Sequence, residues 1–86
     1  MAVYVDELKR WGKVRRQTCH LTADSVEELR EFADLMGFPR GARHYGASVP
    51  HYDLNAEQRQ LALEGGAEFV PAKEQARARI AARKRS

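Results

Sequence analysis

The chain has 86 residues, of which 43% are hydrophobic and 31% are charged, and it contains a single cysteine. This length allows one small domain with a compact core, and the composition is too apolar for a disordered chain. No apolar run approaches the ~20 residues of a membrane-spanning helix, and the N-terminus lacks the pattern of a secretory signal. We therefore expect a folded cytoplasmic protein that does not interact with membranes.

The net charge of +3 is unevenly distributed. Residues 1–16 carry five basic and two acidic side chains, and residues 73–86 carry six basic and one acidic. Residues 17–72 carry four basic and nine acidic side chains. Basic ends around an acidic middle indicate contact with phosphate groups rather than a particular fold.

The first half of the chain predicts two strands and a helix. Residues 2–6 are rich in strand-forming residues, and residues 18–24 alternate between apolar and polar side chains, which is typical of a strand with one buried face. Ser25 and Glu28 form a capping-box pattern, an apolar stripe at helical spacing follows, and Gly37 predicts the helix end.

The second half predicts a loop, two further strands and two helices. The elements are, in order, a loop over 39–49, a strand over 49–54, a helix from Asn55 to Gly65 and Gly66, a strand over 67–70, and a helix from Ala72 onward.

The alternation of strands and helices predicts an α/β fold with a small, mostly parallel sheet of about four strands and two or three helices. We expect a two-layer or incomplete three-layer arrangement. Residues 1–71 would form the single domain, and residues 72–86 would form a basic C-terminal helical tail. Such a small open sheet could also be covered by a homodimer partner.

The candidate reactive side chains lie in or just after three predicted strands. Strand ends in a parallel sheet meet at one edge, where α/β proteins bind ligands. We therefore expect a shared polar site, with a divalent metal such as Mg²⁺ or Mn²⁺ held by Asp6, Asp24 and Asp53. Asp6, His20, His51 and Asp53 are the candidate catalytic residues, with either imidazole acting as ligand or base.

Simpler roles exist for several of these residues. Asp24 and Asp53 each precede a predicted helix, where aspartate is common as a cap or turn residue. The side chains of His51, Tyr52 and Asp53 could instead brace the long loop through hydrogen bonds. Cys19 and His20 are adjacent in a strand and point to opposite faces, so we interpret Cys19 as a buried core residue rather than a nucleophile.

A basic segment around Trp11 could contact phosphates, because cations next to an aromatic ring are typical of nucleotide or nucleic-acid binding. The alternative is a solvated loop with Trp11 folded onto the core. The candidate phosphate-binding residues are Lys9, Arg10, Arg15 and Arg16.

Several blocks of the sequence resemble a family of short bacterial and bacteriophage proteins known as domain of unknown function 4031. The similarity covers residues 2 to about 70, and its most specific block is His51-Tyr52-Asp53-Leu54; the sequence departs from the family pattern between Phe38 and Val49. The resemblance implies a prokaryotic or phage origin, and hence a bacterial host cell, but supplies no activity. The other matching segments are Val3 to Asp6, Cys19 to Leu21 with Asp24, Glu28 and Leu29, Phe32 and Ala33 with Gly37, and Gly66 with Ala67.

Two functional hypotheses follow. The first is binding of nucleotide or nucleic-acid phosphates, extending to metal-dependent hydrolysis of a phosphoester. The second is a non-catalytic accessory protein that binds DNA, RNA or a host protein through its basic ends.

Overall fold

The computed structural model describes residues 2–10, 16–38, 43–44 and 50–85, without the side chains of 43–44 and 83–85. The basic segment with Trp11 and Arg15, and most of the predicted 39–49 loop, lie outside these residues. The strands are β1 (Val3–Val5), β2 (Cys19–Ala23), β3 (Arg43–His44), β4 (His51–Leu54) and β5 (Glu68–Phe69), and the helices are α1 (Val26–Met36), α2 (Ala56–Glu64) and α3 (Ala72–Arg85).

The strands form one sheet in the order β3-β4-β2-β1-β5. Among the strands of the described residues, only β1 and β5 pair in parallel, whereas β1 with β2, β2 with β4 and β3 with β4 are antiparallel. The α/β class is therefore confirmed, and the expectation of a mostly parallel sheet is wrong.

The cause of this error is the two-residue strand β3, which lies inside the predicted loop. The pairing makes β2 and β3, joined through α1, run in the same direction, and the same holds for β4 and β5, joined through α2. The predicted unit β4-α2-β5 therefore joins strands of one direction, whereas the other predicted unit was expected to join β2 to β4, which are antiparallel, and α1 leads instead to β3. The two units interleave, however, so hydrogen-bonded neighbours usually come from different units and run in opposite directions.

One face of the sheet, here called the core face, carries the apolar side chains. In β2 it presents Cys19 and Leu21, and in β4 it presents Tyr52 and Leu54, all of them fully buried. The side chains Leu29, Phe32 and Ala33 of α1, and Ala62 of α2, belong to the same buried cluster. These two helices therefore cover the core face.

Helix α1 begins and ends where its sequence predicts. The Ser25 hydroxyl accepts a hydrogen bond from the Glu28 backbone N–H at 3.2 Å. At the other end Gly37 adopts φ 73°, a left-handed conformation that glycine tolerates without steric cost.

The opposite face, here called the polar face, presents Tyr4, His20, Thr22, His51 and Asp53. Helix α3 reaches this face through a hydrogen bond of 2.9 Å from the Thr22 hydroxyl to the Gln75 side-chain oxygen. Its first residue, Ala72, donates its backbone N–H to the Glu7 carboxylate at 2.8 Å. The C-terminal helix is therefore docked across part of the face that α1 and α2 leave open.

Within the described part of the chain, none of the helices combines the length and the apolar character needed to span a membrane.

The buried position of Leu21 on the central strand allows a matched stability test. Leu21→Ala should lower the free energy of unfolding by about 2–5 kcal/mol, because it leaves a cavity in the core. Leu35→Ala removes the same atoms from a side chain that is 75% exposed, and should change the free energy of unfolding by less than about 0.5 kcal/mol. Urea unfolding measures both; equal effects would contradict this assignment of the core.

Candidate metal centre

Two imidazoles and one carboxylate converge on the polar face. One ligand-capable atom from each of His20, His51 and Asp53 lies within 4.8 Å of the others. The two imidazole rings meet edge to face, with centroids 5.1 Å apart and an interplanar angle of 84°. The His51 Nε2 and Asp53 Oδ1 atoms are 3.5 Å apart.

Strand register explains why these side chains meet. His20 lies directly opposite Asp53 in the antiparallel β2–β4 pair. His51 is two residues before Asp53 on β4, so it projects from the same face and lies diagonally across from His20. The cluster therefore forms on a sheet face from cross-strand neighbours, and not at an edge where strand ends collect.

Asp6 holds His20 in place. Its side chain is buried, with a relative exposure of 3% for the residue. One carboxylate oxygen accepts a hydrogen bond from the His20 backbone N–H at 2.6 Å, and the other lies 2.7 Å from His20 Nδ1. Because Nδ1 is directed at the carboxylate, Nε2 is the nitrogen that His20 can offer to a ligand on the polar face.

This contact depends on an irregularity at the end of β1. Asp6 donates its backbone N–H to the His20 carbonyl at 3.3 Å, as in an antiparallel ladder, but its side chain replaces its own carbonyl as the acceptor for the return bond. The freed Asp6 carbonyl accepts from Arg59 Nε at 3.1 Å. Between Val5 and the Lys9–Thr18 bridge, the first strand has one residue more than β2, which is the count of a β-bulge.

Electrostatics favour the protonated form of His20. The pKa of its imidazole is raised, chiefly because the ring N–H donates to the Asp6 carboxylate, while partial burial acts in the opposite direction. The nearby Asp53 carboxylate also raises this pKa, and the Lys9 ammonium lowers it. Lys9 is bridged to Thr18, two residues before His20, which places this cation at the same end of the sheet as the cluster.

The donor set fits a divalent transition metal. Zn²⁺ and similar ions bind imidazole nitrogen and carboxylate oxygen at about 2.0–2.2 Å, so two ligands of one tetrahedral ion lie ~3.3–3.6 Å apart. Atoms separated by as much as 4.8 Å would therefore have to approach by up to about 1.5 Å through side-chain rotation. An imidazole held by a carboxylate through its second nitrogen is also a recurrent arrangement around metal ligands.

The structure does not bring every candidate residue to this cluster. Asp24 follows the far end of β2 from His20, where its carboxylate accepts a hydrogen bond from the Tyr4 hydroxyl at 2.9 Å. In an antiparallel pair the carboxyl ends of β1 and β2 lie at opposite edges, which separates Asp24 from Asp6. The helix caps are Ser25 and Asn55, so neither Asp24 nor Asp53 fills that role.

The basic candidate residues lie at the end of the sheet where the chain passes from β1 to β2. Lys9, Arg10 and Arg16 are exposed, and Arg15 lies outside the described residues. Sequence reasoning missed Arg59, which fixes the Asp6 carbonyl from α2, and no local pattern marks it. The strand alternation did indicate that His20 shares a face with Thr22, and His51 with Asp53; the β2–β4 register was the missing information.

Cys19 lies in the core, as the alternation predicted. It is fully buried, and burial raises the pKa of its thiol to about 12. A nucleophilic role for this cysteine is therefore disfavoured, because the thiolate is the reactive form.

With this geometry established, the chain can be compared with known proteins. The family described as "Protein of unknown function (DUF4031)" matches residues 3–83. The chain belongs to the DUF4031 family. No curated protein and no solved structure matches it. The resemblance found in the sequence is thus confirmed over nearly the whole chain, and the family description adds no activity to the geometry.

The Asp6–His20 contact predicts a pH dependence in chelator-treated protein. Because the pKa of His20 is raised in the folded state, protonation of its imidazole stabilises the fold. This contribution is largest below the imidazole pKa of ~6.5 in the unfolded chain, and it is lost as pH rises through the pKa in the folded protein. Asp6→Asn should lower the pKa of His20 and reduce this dependence. NMR titration of the imidazole and urea unfolding at several pH values measure both effects. Asp24→Asn is the control; a His20 pKa that Asp6→Asn leaves unchanged would contradict the account.

The buried thiol gives a second test. Cys19 should resist a disulfide reagent at pH 8 in the native protein, because both access and ionisation are suppressed. In denaturant it should react at the rate of an ordinary cysteine, whose pKa is ~8.5. Absorbance of the released thiol measures both rates, and fast reaction of the folded protein would show that the core is not closed around Cys19.

Proposed function

We propose that this protein binds a divalent transition-metal ion through His20, His51 and Asp53, and uses it to bind and hydrolyse a phosphoester of a nucleotide or nucleic acid. The observation that carries the proposal is the convergence of these three donors within 4.8 Å. The buried Asp6 supports it by fixing the ring of His20.

The donor types favour Zn²⁺ or Mn²⁺ over Mg²⁺. Magnesium prefers oxygen ligands in octahedral geometry, whereas imidazole suits the transition metals. The Asp6 carboxylate lies 2.7 Å from His20 Nδ1, and the Asp53 carboxylate lies 3.5 Å from His51 Nε2, so an acidic group accompanies each imidazole. A divalent cation would be attracted by these carboxylates and would compete with protons for the imidazole nitrogens.

Three protein ligands leave coordination positions for water and for a phosphate oxygen. A bound ion would supply a nucleophilic water at neutral pH and would offset charge on the phosphate. In the hydrolysis, the water oxygen would bond to phosphorus, the ester P–O bond would break, and the proton lost by the water would be transferred to the leaving alcohol. Lys9, which is exposed and bridged to Thr18, two residues before His20, would bind the phosphate, together with Arg10 and Arg16 at the same end of the sheet.

A non-catalytic function is the second candidate. It is favoured by the exposed cations at both ends of the described chain, among them Arg16, Lys73 and Arg77. In this case the protein would bind nucleic acid or a host protein, affinity for nucleic acid would fall steeply with salt, and His51 would be dispensable.

Metal titration tests the leading proposal. Full-length protein treated with chelator should bind Zn²⁺ or Mn²⁺ with one site per chain in calorimetry. His20→Ala, His51→Ala and Asp53→Ala should each weaken binding by at least about tenfold, and Asp6→Asn by about 10–100-fold through the orientation of His20. Asp24→Asn is a matched control, since it alters a carboxylate next to the same strand but outside the cluster.

The same variants separate the two candidate functions. The metal-loaded protein should hydrolyse a nucleotide phosphoester, and His51→Ala should abolish this activity while leaving the fold intact by circular dichroism. The proposed centre would be contradicted if the wild-type protein did not bind metal. It would also be contradicted if Asp24→Asn reduced the affinity for metal as much as His51→Ala does. Metal binding without turnover would limit the function to binding.

A further inference from the structure

A groove lies between the polar face of the sheet and α3. Its volume is about 520 Å³, within the ~300–1,000 Å³ range of small-molecule sites. The walls combine apolar surface from small side chains with a few polar groups, as such sites usually do. The lining residues that matter here are Tyr4, Thr22, Asp24, Glu74, Ala78 and Arg79.

The groove adjoins the candidate metal centre. Thr22 lines it and lies two residues from His20 on the same face of β2, a distance of ~6.6 Å along the strand. Tyr4 is paired opposite Thr22 on β1, and Asp24 continues the groove away from His20. Thr22 is buried and its hydroxyl donates to Gln75, so a ligand that passes over these two residues would span the metal ligands and the groove.

The groove lining carries more acidic than basic side chains. The carboxylates of Asp24 and Glu74 line it, and Arg79, the cation of this lining, has its Nη2 3.2 Å from the Gln75 side-chain oxygen. The hydrogen bond to Asp24 raises the pKa of the Tyr4 hydroxyl, and Glu68 acts in the same direction. The exposed cations Lys9, Arg10 and Arg16 lie instead at the His20 end.

This separation of charge distinguishes between classes of phosphoester. A nucleic-acid strand lying along the face would place a second phosphate beside Asp24 and Glu74, where like charges repel. A mononucleotide has its phosphate at one end only. Its uncharged base can contact the aromatic ring of Tyr4, and its amino groups can donate to the Asp24 carboxylate.

We propose that the groove is the base-binding subsite for a mononucleotide whose phosphate is held at the His20, His51 and Asp53 centre. The inference rests on the proposed function and narrows its substrate class. It makes α3 a wall of the binding site rather than a basic tail for contact with nucleic-acid strands.

The test compares ligands that differ only in the base. Calorimetry with the Mn²⁺-loaded full chain should show that guanosine 5′-monophosphate binds on the order of tenfold more tightly than ribose 5-phosphate, which has the same phosphate and no base. Ala78→Leu, which fills the groove, should reduce the affinity for the nucleotide to that for ribose 5-phosphate. Ala81→Leu, an exposed position on α3 outside the lining, should leave it unchanged.

A second measurement covers the case in which Ala78→Leu perturbs the fold. In the wild-type protein, the nucleotide but not ribose 5-phosphate should shift the amide NMR signals of Asp24 and Arg79. Equal affinities of the two ligands, or tighter binding of a short oligonucleotide than of the mononucleotide, would overturn this inference and leave the metal centre standing. Failure of the protein to bind either Zn²⁺ or Mn²⁺ would instead refute the proposed function.

Discussion

The candidate site depends on the contact between the buried carboxylate of Asp6 and His20. This one side chain satisfies the backbone N–H of His20 and also fixes its ring through Nδ1. A buried carboxylate is costly unless it is hydrogen-bonded, so both bonds are needed for Asp6 to occupy this position. The same bonds orient His20 toward His51 and Asp53. Fold stability and ligand geometry are therefore coupled at the end of β1.

Local patterns were sufficient to locate most of the secondary structure. The strands β1, β2, β4 and β5 and all three helices lie within or very close to the segments that periodicity, capping residues and glycines predict. The direction of pairing was not predictable in the same way, because β3 has only two residues and lacks a periodic signal. When β3 is not recognised, the pattern predicts that α1 connects neighbouring parallel strands. With it, two strand-helix-strand units interleave and the sheet becomes mostly antiparallel.

The candidate site was predictable only where it follows from alternation within one strand, and not where it depends on how the strands pair. Strand alternation places His51 and Asp53 on one face whatever the strand order, and that prediction does not depend on the direction of pairing. The expectation that Asp24 joins Asp6 required parallel strands, and the antiparallel β1–β2 pair separates them. The contact of Arg59 with the Asp6 carbonyl depends on how α2 packs across the sheet, which no local pattern encodes.

The most direct test of this account is the protonation state of the His20 ring in chelator-treated protein, read from its two nitrogen shifts by ¹⁵N NMR above the pKa of the imidazole. The account predicts the tautomer with the proton on Nδ1, donated to Asp6, and a change in the Nε2 shift when Zn²⁺ is added. A proton on Nε2, or a Zn²⁺ response at Nδ1, would show that Asp6 does not direct His20 toward a metal ion.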